Sequence, residues 1–229
     1  CPTILSKSAQ RVLIDTGTRC ADLDKIVGQI TGKPLEVIVT HMHPDHAGCI
    51  KYFDKVWMHR ADTVLVPQHA ADYQGEFLYM EEGQVFDLGG RKLEVAWMPG
   101  HTPGSVVLLD KANGDCYSGD AFGSGEVWLQ CVPMSPIATF HESCCRMEKL
   151  MKEGHIKDIW CGHYPYLKSS LPLAYIQTMI RISHRLMNGD QEGSEPYSNY
   201  FIKMPPTARK LAEGRAMIVY DSTNIPEAR

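Results

Sequence analysis

The chain has 229 residues, of which 44% are hydrophobic and 22% are charged, and its formal net charge is −4. This length and composition are typical of a globular protein and suffice for one domain over residues 1–229. The small negative charge, without clustered lysine and arginine, argues against nucleic acid as a partner. No apolar run approaches the roughly 18 residues of a membrane span, so no membrane partner is expected.

The first half of the chain predicts strands that alternate with short helices. Strands are predicted at 11–15, 36–40 and 56–59, and the second of them contains the β-branched run Val37-Ile38-Val39. Between the first two strands, a helix is predicted from the helical spacing of Leu23, Ile26, Val27 and Ile30. Asp22 is the expected cap of this helix and Gly32 its end. Segment 66–82 is aromatic and polar without a clean period, so it is predicted as a loop or short helices near the cleft.

The second half predicts a run of strands and two longer helices. Strands are expected at 84–88, 92–98, 105–110, 116–118, 157–160 and 216–220. A tight turn at Asn113-Gly114 joins two of them. Helical spacing predicts one helix that ends at Gly154 and another over 170–187. Segment 188–207 is rich in Gly, Ser, Pro and Tyr, which predicts a long loop that acts as a lid.

Four candidate metal ligands lie within six positions directly after the strand at 36–40. They belong to the run His41-Met42-His43-Pro44-Asp45-His46, which holds three of the ten histidines. Pro44 cannot continue a strand, so the chain must turn there. The imidazoles and the carboxylate therefore lie on a loop anchored to a rigid strand end, where they can converge on one metal ion.

Three further candidates follow other predicted strands in the same way. His101 lies in the turn Gly100-His101-Thr102-Pro103-Gly104, Asp120 follows Gly119, and His163 follows Gly162. Glycine and proline permit the backbone turns that direct such side chains inward. Because Zn²⁺ favours imidazole and carboxylate ligands, these residues together predict a two-zinc site.

These motifs resemble those of the metallo-β-lactamase superfamily of hydrolases. The HxHxDH run, the GHTPGS turn, the SGD and GH segments and the early Asp15-Thr16-Gly17 all match, and the resemblance extends from about residue 12 to 220. It implies an α+β fold, a four-layer αβ/βα metallo-β-lactamase sandwich. Among the members, the pattern is nearest to the glyoxalase II and lactonase-like enzymes.

The resemblance also implies which residues bind which ion. One zinc would be held by His41, His43 and His101. The second would be held by Asp45, His46 and His163, with Asp120 bridging the two ions. Iron or manganese could take the place of zinc. Asp45 is also expected to position or deprotonate the attacking water, and Tyr164 either donates a hydrogen bond to a substrate oxygen or serves in packing.

The function implied is hydrolysis of a small ester, thioester or lactone-type substrate by a metal-bridging hydroxide. Asp120 occupies the position where true β-lactamases usually have Cys or Ser, which disfavours antibiotic hydrolysis. The C-terminal part has no evident Lys/Arg cluster for gripping glutathione, which weakens a thioester substrate. Two alternatives stay open: a mononuclear iron oxidoreductase similar to persulfide dioxygenases, and a non-catalytic metal-binding scaffold.

The eight cysteines have no framework spacing, which favours reduced thiols and a cytoplasmic protein. A lipoprotein that begins at Cys1 is a lesser alternative. The segment before Asp15 leaves room for fewer strands than the family usually has, so an N-terminal strand could have been trimmed. A homo-oligomer is compatible with the sequence, which carries no signal for or against it.

Overall fold

The computed structural model of the protein describes residues 2–7, 10–30, 32–164, 168–200 and 202–226. Cys1 lies outside these residues. The described strands are β1 (Thr3–Ser6), β2 (Arg11–Ile14), β3 (Leu35–Ile38), β4 (Lys55–His59), β5 (Glu76–Met80), β6 (Val85–Asp87), β7 (Lys92–Trp97), β8 (Val106–Asp110), β9 (Asp115–Gly119), β10 (Glu126–Trp128), β11 (Asp158–Cys161), β12 (Glu195–Pro196), β13 (Ala208–Glu213) and β14 (Ala216–Asp221). The described α-helices are α1 (Leu23–Ile30), α2 (Pro44–Ala47), α3 (Val66–His69), α4 (Ile137–Lys152) and α5 (Leu173–Met187).

Three sheets are formed by these strands. The first has the order β1-β2-β3-β4-β5, the second β11-β9-β8-β7-β6, and the smaller third β10-β14-β13-β12. In the first sheet β2 to β5 run parallel, and in the second β9 and β11 run parallel. Because parallel strands end at the same edge of a sheet, the loops that follow them are brought together there.

The two larger sheets pack face to face, and helices cover their outer sides. Between them lies an apolar layer whose members include Val12, Ile38, Val95 and Leu108. Alternate residues of the first sheet face outward, where α1 packs on them. The helices α4 and α5 cover the second and third sheets with a further apolar layer. This arrangement confirms the predicted four-layer αβ/βα sandwich.

The prediction for segment 66–82 is wrong in its second half. Residues Glu76–Met80 form β5, which pairs in parallel with all five residues of β4 at the edge of the first sheet. Phe77, Leu78 and Tyr79 are each only partly buried. An edge strand of this kind lacks the alternation of buried and exposed residues that identifies a strand in the sequence.

The predicted helix is present as α1, but only two of the four apolar residues that indicate it are buried. Leu23 and Val27 are buried, whereas Ile26 and Ile30 are 44% and 60% exposed. Within segment 188–207, the described residues 188–200 and 202–207 have little regular structure apart from β12, and the function of this segment as a lid stays a prediction. The described part of the chain contains no helix that combines the length and apolar character needed to cross a bilayer. Its seven cysteines are all free thiols.

Candidate metal centre

The seven predicted ligands lie on four loops, each of which follows a strand. The run from His41 to His46 follows β3 and includes α2, and His101 follows β7. Asp120 follows β9, and His163 follows β11. The structure brings these side chains together in two groups, in each of which the ligand atoms lie within 4.8 Å of one another.

The first group, called here the three-histidine group, consists of His41, His43 and His101. The Nδ1 atom of His43 lies 2.9 Å from Nε2 of His101. The ring centroid of His41 lies 4.9 Å from that of His43 and 4.7 Å from that of His101. The three rings thus surround a common point with one nitrogen each available to it.

The second group, called here the mixed group, consists of Asp45, His46, Asp120 and His163. The Nε2 atom of His163 lies 3.0 Å from Oδ2 of Asp120 and 3.1 Å from Oδ2 of Asp45. The Nε2 atom of His46 lies 3.4 Å from Oδ2 of Asp120. The two groups adjoin, since the ring centroids of His41 and His46 are 4.1 Å apart.

Unpaired polar atoms show that these residues suit a bound cation. His41 Nε2, His46 Nε2 and Asp120 Oδ1 are buried and form no hydrogen bond. Buried polar atoms in folded proteins are nearly always paired, so each such atom needs an explanation. Imidazole nitrogens and carboxylate oxygens are ligands that zinc, iron and manganese accept, and divalent cations held in the two groups would satisfy these atoms.

Hydrogen bonds from neighbouring residues hold the outward nitrogens of the histidine rings. Asp15 Oδ2 lies 2.7 Å from His46 Nδ1, and the same carboxylate accepts from the amide and hydroxyl of Thr40. The Thr40 hydroxyl also lies 3.1 Å from His41 Nδ1. The carbonyl of Trp128 lies 2.8 Å from His101 Nδ1. Such contacts fix the ring orientation and leave Nε2 facing the centre.

Glycine is required where the chain passes the mixed group. A Cβ atom at Gly162 would lie 2.4 Å from Cε1 of His46 and 2.8 Å from Oδ1 of Asp120. At Gly119, which has a φ of +49°, a Cβ atom would lie 2.1 Å from the Thr40 hydroxyl. The glycines that precede Asp120 and His163 therefore allow the ends of β9 and β11 to approach the HxHxDH loop.

The pKa shifts separate the two groups. Burial, followed by the charge of His101, lowers the pKa of His43 to about 3, and burial also lowers the pKa of His41 and His101. Hydrogen bonds to Asp120 and Asp45 raise the pKa of His163 to about 9. Burial acts to raise the pKa of Asp45, but the hydrogen bond with His163 and the charge of His46 hold it at about 2.

The two groups consequently differ in charge. The three-histidine group holds neutral imidazoles, the form that binds metal. The mixed group pairs carboxylates with imidazoles that keep a proton until a cation replaces it.

The remaining predicted site residue, Tyr164, directly follows His163 in the chain. Tyr164 is 40% exposed, and its ring packs against Trp160 with centroids 5.6 Å apart, so its function as a hydrogen-bond donor stays a prediction. The ring of His69 lies 5.7 Å from that of His43. Sequence reasoning missed the contacts of Thr40 and Trp128, for which the only signal was their position next to a ligand loop or a strand end.

Comparison with known proteins identifies the family. The model of the Metallo-beta-lactamase superfamily matches residues 3–141, which is more than half of the chain. The chain belongs to the metallo-β-lactamase superfamily. The matched segment includes every ligand candidate except His163.

Individual relatives are more distant. Acyl-coenzyme A thioesterase MBLAC2 of Homo sapiens is 27% identical over 196 residues, which cover 69% of this chain and 70% of the relative. A hydroxyacylglutathione hydrolase of Synechococcus sp. (strain JA-3-3Ab) is 23% identical over 166 residues, 69% of this chain and 60% of the relative. The crystal structure of TTHA1623 in a di-iron-bound form has a TM-score of 0.60 and 25% identity, and covers 76% of this chain and 89% of that chain. The predicted enzyme class is confirmed: the protein is a metal-dependent hydrolase.

Proposed function

We propose that this hydrolase cleaves a thioester at a two-metal centre formed by the three-histidine group and the mixed group. The observation that carries the proposal is the meeting of all seven ligand candidates in two adjoining groups with unpaired buried atoms. Two of the relatives are named as hydrolases of acyl-coenzyme A and of hydroxyacylglutathione, both of which are thioesters. The missing Lys/Arg cluster bears only on the binding of glutathione. It is therefore no argument against cleavage of a thioester bond.

Each ion would have its own ligand set. His41, His43 and His101 would hold the first, and Asp45, His46 and His163 the second. Asp120, whose Oδ1 is unpaired, would bridge the two. Zinc is the proposed metal, although iron or manganese fits the same donors. Bound there, divalent ions lower the pKa of water toward neutrality and stabilise negative charge on a carbonyl oxygen.

Asp45 is the residue of the mixed group best placed to handle water. Its side chain is 45% exposed, whereas those of His46, Asp120 and His163 are 0%, 14% and 29% exposed. A carboxylate that reaches solvent can hold the attacking water and accept its proton. His46 is buried and its Nδ1 is held by Asp15, so it is less suited to this role.

The chemistry of the leaving group also favours a thioester. A thiol has a pKa near 8.5, so a thiolate can depart at neutral pH without first receiving a proton. We therefore assign no proton donor to the leaving group, and propose that Tyr164 hydrogen bonds to a substrate oxygen. Tyr197 of the predicted lid contacts Trp128, with ring centroids 6.0 Å apart, and the Trp128 carbonyl accepts from His101. The lid segment therefore borders the three-histidine group.

The test combines metal analysis with matched substrates. The purified protein is loaded with zinc, iron or manganese, and the metal per chain is measured by mass spectrometry. An acyl-coenzyme A, a hydroxyacylglutathione and a simple acyl thioester are compared with the oxygen ester of the same acyl group, a lactone and a β-lactam. We expect two ions per chain and faster cleavage of the thioesters. One iron per chain with oxygen uptake on a persulfide, or a loaded protein inactive on every substrate, would overturn the proposal.

A further inference from the structure

Asp62 is a buried carboxylate that belongs to neither group of ligand candidates. It lies in the 3-10 helix Arg60–Leu65 after β4 and is 1% exposed. Burial raises the pKa of Asp62, and three hydrogen bonds act to lower it. Among the described residues, no positively charged side chain contributes to this pKa shift. A buried carboxylate is costly unless its oxygens are satisfied, so its donors show what this side chain holds.

The three donors come from the two segments that carry the three-histidine group. Oδ2 of Asp62 accepts from the backbone amide of Met42 at 2.9 Å and from the hydroxyl of Thr102 at 3.0 Å. Oδ1 accepts from the backbone amide of Gly104 at 2.5 Å. Met42 lies between two histidines of the group, and Thr102 directly follows the third. One carboxylate thus joins two ligand segments that are far apart in the sequence.

The turn that carries His101 is fitted to this carboxylate. A Cβ atom at Gly104 would lie 2.6 Å from both the carboxyl carbon and Oδ1 of Asp62. Any side chain at position 104 would therefore displace Asp62 from the turn.

We propose that Asp62 is a positioning residue for the metal ion of the three-histidine group. By fixing both backbone segments, it sets the approach of His43 Nδ1 to His101 Nε2, which are 2.9 Å apart. Asparagine cannot replace it, because both carboxylate oxygens accept hydrogen bonds. In either orientation, the asparagine NH₂ group would face a donor in place of one of these oxygens. The inference rests on the proposed two-metal centre.

The experiment measures the affinity of each group for metal with Asp62→Asn. Zn²⁺ affinity is determined by competition with a chromophoric chelator in two backgrounds. In His163→Ala the mixed group has lost a ligand, so the remaining tight site reports the three-histidine group. In His101→Ala the three-histidine group has lost a ligand, so the remaining tight site reports the mixed group. Asp110→Asn is the matched control, because Asp110 is fully buried but pairs with Arg91 in another part of the second sheet.

We expect Asp62→Asn to weaken Zn²⁺ binding about 10- to 100-fold in the His163→Ala background and to leave it unchanged in the His101→Ala background. Asp110→Asn should lower the thermal midpoint without changing either affinity. A lower midpoint for Asp62→Asn with unchanged affinity in both backgrounds would mean that the residue serves folding alone. Should this variant not fold, Thr102→Val removes the hydroxyl that donates to Asp62 and contacts the Ser105 hydroxyl. It should weaken Zn²⁺ binding by the three-histidine group roughly 5-fold, and an unchanged affinity would contradict the inference. A wild-type protein that binds no Zn²⁺ would instead refute the proposed function.

Discussion

The two groups of the candidate metal centre share one edge of the sandwich but differ in charge and in the residues that hold them. The three-histidine group consists of neutral imidazoles, and the outward nitrogens of His41 and His101 contact neutral partners, the Thr40 hydroxyl and the Trp128 carbonyl. The mixed group contains two carboxylates, and a further carboxylate, that of Asp15, fixes its buried histidine. The first group can take a cation at neutral pH without losing protons, whereas the second must release them. The same fold thus gives one rigid neutral site and one site whose affinity depends on pH.

Replacing Asp45 tests whether turnover depends on the exposed member of the mixed group. For Asp45→Asn we expect turnover to fall about 100- to 10,000-fold, because the amide cannot accept a proton from water. The thermal midpoint should change little, since the side chain is nearly half exposed. The measurements are kcat on a thioester and thermal unfolding, with the exposed Asp72 changed to Asn as the control. Undiminished turnover would remove the assigned role.

A methyl group at position 162 should damage the mixed group selectively. The Cβ atom of Gly162→Ala would lie 2.4 Å from the His46 ring, so the ring or the end of β11 must move. We expect a loss of about 1–3 kcal/mol in the free energy of unfolding and at least a tenfold loss of affinity for one of two metal ions. Chelator competition and urea unfolding measure both effects.

Gly28 provides the matched control for this substitution. It lies at an exposed position of helix α1, and a Cβ atom there would have no neighbour within 4 Å. Gly28→Ala should stabilise the protein by roughly 0.5–1 kcal/mol and leave metal binding unchanged. If Gly162→Ala and Gly28→Ala had the same free energy of unfolding and the same metal affinity, the close packing inferred at Gly162 would be contradicted.

Local motifs could be predicted from the sequence, whereas contacts between distant segments could not. The meeting of the ligand candidates was predictable because each lies in a local motif close to Gly or Pro and after an apolar strand. Asp62 and Trp128 could not be found in this way, because their partners are backbone amides and a ring nitrogen brought near only by the fold. Likewise, the spacing of Ile26 and Ile30 indicates a helix face, but burial depends on what covers it, and these two side chains stay exposed.

The metal-free protein should show opposite pH dependences for the two groups. The folded-state pKa of His43 is about 3, below its ordinary value, so its contribution to stability is lost as the pH falls below about 6.5, where the unfolded chain takes up the proton. The folded-state pKa of His163 is raised to about 9, so its contribution is present below about 6.5 and is lost as the pH rises through 9.

Urea unfolding of the metal-free protein between pH 5 and 9.5 would measure these dependences. His43→Gln should flatten the acid side of the stability profile, and His163→Gln the alkaline side, each by on the order of 1–2 kcal/mol. The two effects should be independent of each other. A result in which both variants flatten the same side would show that the groups do not differ in charge as described.

The smallest expected effect is at the residue that connects the two groups. The Thr40 hydroxyl contacts both Asp15, which holds His46, and the outward nitrogen of His41. Thr40→Val keeps the shape and the backbone hydrogen bond to Asp15 but removes these two contacts, which should cost about 1 kcal/mol in the free energy of unfolding. Because one atom serves both groups, the affinities for both metal ions should fall together, by roughly 3- to 10-fold each. Thr40→Ser, which keeps the hydroxyl, should restore the affinity for both metal ions. A loss of affinity confined to one group would mean that the two groups are held independently of each other.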